Sequence, residues 1–231
     1  QGMNNRPYAV LIQSLINLGA PAEEIQEACR KAERRYPDLP EFPLMWGGYL
    51  FRNKNYQKAE TNLRRGLELY EAESNGLAPD ISAGEQARNF LPAAFWQLGK
   101  LAAWRGDKGA ALEYWTRGLR LAPYEKVLLR TAAALLKGFP GADVIAFLNT
   151  IYDKRADAVY LAQTLAQTGL SDAALYYDRQ AGASALSDAE RFRLAGRASA
   201  FAAAAMAEPS ANSQRRARVS ASIPEVGSSS T

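Results

Sequence analysis

The chain has 231 residues, 48% of them hydrophobic and 23% charged, an ordinary balance for a soluble globular protein with a substantial core. Histidine is absent and Cys29 is the sole cysteine. That excludes Ser-His and Cys-His nucleophile pairs, His-ligated zinc, an internal disulfide and every multi-cysteine metal motif. The net charge of +4 is mildly basic, and Arg215, Arg216 and Arg218 sit in a tail not expected to fold, so a general nucleic-acid surface is a weak reading. Apolar stretches such as AFAAAAMA near residue 200 fall short of the roughly 20 residues a spanning helix needs. No secretory signal is visible, and a cytoplasmic location is expected. A start at Gln1 suggests a fragment, and a signal in a missing part would be lost with it.

Helical patterns recur along the chain. Residues 6–39 pair LIQSLINLG with EEIQEACRKAERRYP, setting Ile25, Cys29, Ala32 and Pro37 as markers of a second helix. Cys29 falls on the apolar face, where a buried structural thiol is expected. Residues 40–73 repeat the pattern after a step of 34, with Trp46, Gly47, Leu50, Ala59, Leu63 and Gly66 in register. The next step, from Ala59 to Ala111, is 52 and demands an insertion, placed at about 72–91. Its Gly, Pro, Asn and Ser content predicts a loop, with room for a helical turn at SAGEQARN.

The third unit, 92–125, is the clearest, with Phe95, Leu98, Gly99, Ala111, Trp115, Gly118 and Pro123 in place. Gly99 and Ala111 are small where two antiparallel helices must approach, and Phe95 and Trp115 fill the volume beside them. Gly106 suits the left-handed residue past a helix end, Asp107 can cap the next helix, and Pro123 cannot continue one. The fourth unit, about 126–154, reads as helices over YEKVLLRTAAALLK and ADVIAFLNTIYDK, broken at GFPG. In the fifth, 155–186, Leu161, Ala162, Leu165, Gly169, Ala174 and Ala181 share one register, with Tyr176 and Tyr177 one place early. Ser187 and Glu190 have capping-box spacing and open a final helix, 187–207, whose modest apolar stripe suits a cap on the last pair. Residues 208–231 lack periodicity and are expected to be disordered.

Catalytic motifs are missing. There is no GxGxxG, GxxxxGK[ST] or Asp-x-Asp, and Glu23, Glu24 and Glu27 read as residues that favour a helix N-terminus. The chain is therefore expected to be no enzyme on its own, and no catalytic residue, metal or cofactor is assigned.

The markers of the third unit, shared more weakly by its neighbours, resemble the tetratricopeptide (TPR) repeat. That resemblance implies an all-α, right-handed α-solenoid of about five TPR-like helix pairs over residues 1–207, whose first helices line a concave groove. The family's ligand-facing places map to Phe51, Arg52, Trp96, Lys100, Trp104, Arg130, Lys137, Gln163 and Gln167. Aromatics flanked by cations suit an extended peptide or a sugar face. Trp96 and Trp104 read equally well as packing against the insertion or the neighbouring repeat, and Arg52, Lys100 and Lys137 as ordinary solvated charges. Tyr49, Tyr56, Tyr114 and Trp115 read as packing. The carboxylate clamp of chaperone-binding TPR domains is not matched: its places hold Val10 and Ser14 in the first repeat, and Ala93 and Gln97 in the third.

The phrases LIQSLINLGAPAEEI, RRYPDLPEFPLMWGGYLF, FLNTIYDKRADAVYLA and ALYYDRQAG are similar to the helical-repeat region after the catalytic domain of some bacterial family 2 glycosyltransferases, over roughly residues 5–183. This likeness implies a C-terminal scaffold module whose parent uses a nucleotide sugar in cell-surface glycan synthesis. The other expectation is a free-standing cytoplasmic adaptor that binds a peptide or partner helix.

Overall fold

The computed structural model describes the backbone of residues 6–76 and 81–207 and the side chains of 6–72 and 89–200. The described residues form α-helices and no strands: α1 (Arg6–Asn17), α2 (Ala22–Arg35), α3 (Glu41–Arg52), α4 (Tyr56–Gly76), α5 (Ile81–Trp104), α6 (Lys108–Leu121), α7 (Lys126–Leu136), α8 (Gly141–Leu148), α9 (Ala158–Thr168), α10 (Ser171–Gln180) and α11 (Asp188–Ala207). The chain divides into two compact units that meet in sequence at Gly106–Asp107. This boundary falls inside the clearest repeat. The tail at 208–231, expected to be disordered, lies outside the described residues.

In the first unit α1 packs on α2 and α3, α2 on α3, and α3 on both α4 and α5. The α3–α4 contact is set by two glycines. A Cβ on Gly47 would lie 2.7 Å from Leu63 Cγ, and one on Gly66 would lie 2.6 Å from Leu44 Cγ. Because residue order runs oppositely along the two helices, the pair is antiparallel. Phe42, Leu63, Leu91, Phe95 and Leu98 fill the core around it. Cys29 is buried there too, 1% exposed, and burial pushes its thiol up to about 12, with the Glu33 charge adding to the effect. It is an inert packing residue at neutral pH.

The insertion departs from expectation. Instead of a loop, α4 carries on to Gly76 and α5 begins at Ile81, while residues 77–80 lie outside the described set. Helix α5 also runs through Pro92, the residue at which the third unit is expected to open. Leu91 on one side and Ala94 and Phe95 on the other are all buried, and this burial offsets the roughly 3 kcal/mol that an internal proline costs.

In the second unit α6 packs on α7, α7 on α9, α8 on α10, α9 on α10, and α10 on α11. Local signals hold well here. Asp107 caps α6 by accepting from Ala110 N at 2.9 Å, and Gly106 and Gly169 take φ of +84° and +83° past helix ends. Helix α8 is shorter than its sequence pattern, ending at Leu148. The Asp153 carboxylate accepts from the N–H groups of Ala156 (2.7 Å) and Arg155 (2.8 Å), offering the backbone an alternative to the helix. Those same N–H groups hold its carboxyl below the usual range.

The capping box forms: Glu190 Oε2 accepts from Ser187 N at 2.9 Å, and Ser187 Oγ accepts from Glu190 N at 3.4 Å. Ser187→Ala is expected to lower stability by about 1 kcal/mol in urea unfolding. An unchanged midpoint would mean that α11 starts without help from its cap.

Candidate functional site

The first unit gathers four of the sequence-marked residues. Trp96, Lys100 and Trp104 recur at intervals of four on α5 and so share one helix face. Phe51 stands at the end of α3 and Tyr56 at the start of α4, with Lys54 between them in the left-handed region (φ +62°). That tight reversal brings both rings to the α5 face.

Phe51 stacks on Trp104 at 5.8 Å between centroids with 8° between planes, and meets Trp96 edge-on at 5.8 Å. Tyr56 closes the group, edge-on to Trp104 at 4.9 Å and to Phe51 at 5.5 Å. Such pairs add about 0.5–1.5 kcal/mol each beyond their burial. The Lys100 ammonium sits 5.3 Å from the Trp104 ring and 5.9 Å from the Trp96 ring, within cation–π reach of both. Trp104 nevertheless remains 53% exposed and Tyr56 37%.

The end of α5 is pinned beside this cluster. Glu60 on α4 takes Arg64 at 2.9 Å and also Arg105, the residue after Trp104. Burial alone would raise the Glu60 carboxyl, but the Arg105 and Arg64 hydrogen bonds outweigh it and hold it below its ordinary range. The exposed indole is thus carried on a fixed backbone.

Two of the expected roles change in the structure. Phe51, a ligand-facing place in the repeat pattern, is 9% exposed and forms the floor of the cluster. Tyr56, which the pattern assigns to packing, is part of the exposed face. Its aromatic character alone gives no hint of this, because the exposure depends on where α5 lies. Trp115 is buried, as packing requires. Arg52, the last residue of α3, is exposed.

In the second unit the marked residues do not converge on one spot. Arg130 hydrogen-bonds Gln167, Gln163 donates to Ala185 O at 3.3 Å, and Lys137 lies beside Gly169. Sequence reasoning passes over Tyr124, which is 64% exposed, donates to Asp157 Oδ1 at 2.6 Å and meets Tyr160 edge-on at 5.2 Å. The Asp157 hydrogen bond raises its phenol.

Among the described residues no cluster of three or more acidic, Cys or His side chains is placed to hold a metal. No helix among them is long and apolar enough to cross a membrane. No protein-family model matches the chain, and no curated protein matches it.

Proposed function

We propose that the chain is a non-catalytic interaction scaffold, a right-handed solenoid of TPR-like helix pairs, which takes a partner peptide on the Trp96–Lys100–Trp104 face. One observation carries this reading: a half-exposed indole, Trp104, held in a rigid aromatic cluster with a lysine across it. Rigid aromatics beside a cation offer contact area at low entropic cost, as interface anchors do. The contacts of α1 with α3 and of α3 with α5 in the first unit support stacked hairpins, as do those of α7 with α9 and α8 with α10 in the second.

The likeness of residues 5–183 to the region behind family 2 catalytic domains favours a cytoplasmic module of a bacterial glycosyltransferase acting in cell-surface glycan synthesis. Its partner is then the parent's catalytic domain or an associated protein. The alternative is a free-standing cytoplasmic adaptor, for which the exposed cluster suffices. An in-frame catalytic domain with Asp-x-Asp ahead of Gln1 supports the first, and a start codon at Met3 supports the second.

The binding face is tested by selecting phage-displayed peptides on the purified chain and titrating them against Trp104→Ala/Lys100→Ala. Affinity should fall by at least about 30-fold, the scale of a lost hot-spot aromatic. The helical circular dichroism should be retained. Selected peptides that bind the double variant as tightly as the parent chain would exclude this face as the binding site.

A further inference from the structure

The aromatic face built by α3, α4 and α5 carries charge of one sign. Residues 42–59 and 89–106, which contribute every ring of the cluster, include Arg52, Lys54, Lys58, Lys100 and Arg105 and no Asp or Glu, although the whole chain has 24 acidic residues against 28 basic ones. Glu60, the next residue along α4, is already taken by Arg64 and Arg105. Arg52, Lys54 and Lys100 form no ion pair among the described residues. The face therefore has a positive charge that this unit does not neutralise.

Local structure accounts for only part of that charge. Arg52 stands in the last turn of α3, where a cation suits the helix dipole. Lys100 has no such reason, because it precedes the last turn of α5, a turn that holds no basic residue. It is placed instead by the rings, 5.3 Å from Trp104 and 5.9 Å from Trp96. Arg52 belongs to the same side of the groove. It lies one turn beyond Gly48, whose added Cβ would be 3.8 Å from the Gln97 amide of α5, and Lys100 lies one turn beyond Gln97.

We propose, resting on the reading of this face as a peptide-binding surface, that its occupant is an extended acidic segment in which Asp or Glu stands two places from an apolar residue. The apolar side chain lies on the exposed indole of Trp104, and the carboxylate pairs with Lys100. The spacing follows from the chain geometry. Alternate side chains of an extended peptide emerge on one side about 6.7 Å apart, which matches a carboxylate just beyond an ammonium 5.3 Å from the ring centre. Adjacent side chains point to opposite sides, and side chains four places apart overshoot. A second acid further along meets Arg52 or Lys54. A basic segment would be repelled by the same cations, so charge selects the partner while the aromatics hold it.

The test uses a random dodecapeptide phage library selected on the purified full chain, keeping only binders that Trp104→Ala fails to retain. These should be enriched in acids two places from an apolar residue. The tightest peptide is then synthesised in its acidic form and with Asp and Glu replaced by the matching amides. The amide form should bind about tenfold more weakly at low salt, and the gap should narrow as salt is added. Lys100→Met, which keeps an unbranched stem on the rings and removes the charge, should bring the two forms to within about twofold of each other. Lys100→Arg should keep them apart. Trp104-dependent peptides that are neutral or basic would overturn the acidic partner and leave the binding face standing, as would a gap that persists in Lys100→Met. A library that yields no Trp104-dependent binder would remove the face itself, and this proposal with it.

Discussion

Asp178→Ala is expected to destabilise the second unit by about 3 kcal/mol in urea unfolding and to loosen α11 from α10. The Asp178 side chain is 2% exposed, and its two oxygens hold three donors across the α10–α11 connection. Oδ1 accepts from the N–H groups of Ala185 at 3.1 Å and Leu186 at 2.9 Å, and Oδ2 accepts from Arg191 Nε at 2.7 Å. Arg191 in turn donates to Ala183 O and pairs with Asp188 at 2.6 Å. Ala183 has φ +54° directly after Gly182 at φ +70°, a left-handed pair that a non-glycine residue adopts only when held. Removing the carboxylate strands the two N–H groups and frees the guanidinium that holds Ala183. Breaking a buried pair from one side costs about 3–5 kcal/mol, and the lower end applies because Arg191 is 28% exposed.

The pH dependence has a definite sign. Burial alone would raise the Asp178 carboxyl, but the Arg191 and backbone hydrogen bonds outweigh it and hold it below its ordinary value of 3.8. A group whose folded pKa is depressed stabilises the fold above its unfolded pKa, and loses that contribution as pH falls through the folded value. The gap in urea midpoint between the parent chain and Asp178→Asn should therefore be full at pH 7 and close below about pH 4. Comparing the two chains cancels Glu60, Asp153 and Glu190, whose carboxyls are also held low. A gap constant from pH 7 to pH 3 would mean that Asp178 acts through packing and not through its charge.

Features that depend on a few adjacent residues are legible in the sequence itself. Gly106, Asp107 and the Ser187–Glu190 box are such cases, since a cap is decided by one side chain and the N–H groups beside it. The insertion is not legible in the same way, because its Gly, Pro, Asn and Ser content speaks only of local preference. What makes α5 continuous across Pro92 is burial of Leu91 and Phe95 by distant helices. The exposed face is half legible. The spacing of Trp96, Lys100 and Trp104 along one helix is written in the sequence, whereas the sinking of Phe51 and the emergence of Tyr56 depend on the α3–α4 reversal. Asp178 leaves a faint trace: a carboxylate near the C-terminal end of α10 opposes the helix dipole and calls for a compensating partner. Nothing local identifies that partner as Arg191, thirteen residues on.

Gly47→Ala and Gly66→Ala should each destabilise the first unit, although alanine is the better helix former by about 1 kcal/mol. The new methyl at position 47 would lie 2.7 Å from Leu63 Cγ and 3.0 Å from Leu63 N, and that at position 66 would lie 2.6 Å from Leu44 Cγ and 3.2 Å from Leu44 N. Backbone stands behind each leucine, so the helices must separate. Overpacking of this kind costs about 1–3 kcal/mol and outweighs the gain in propensity. Gly48 provides the control on the same helix: its added Cβ would meet only the Gln97 amide, at 3.8 Å. Gly48→Ala should thus hold or raise stability by up to about 1 kcal/mol. The two harmful substitutions press on one interface, so the double variant should lose less than the sum of the singles, because helices already forced apart accept the second methyl cheaply. Urea midpoints for the parent chain and these four variants decide the matter. If Gly47→Ala is as stable as Gly48→Ala, α3 and α4 do not meet at Gly47, and the close antiparallel pairing on which the scaffold reading depends is lost.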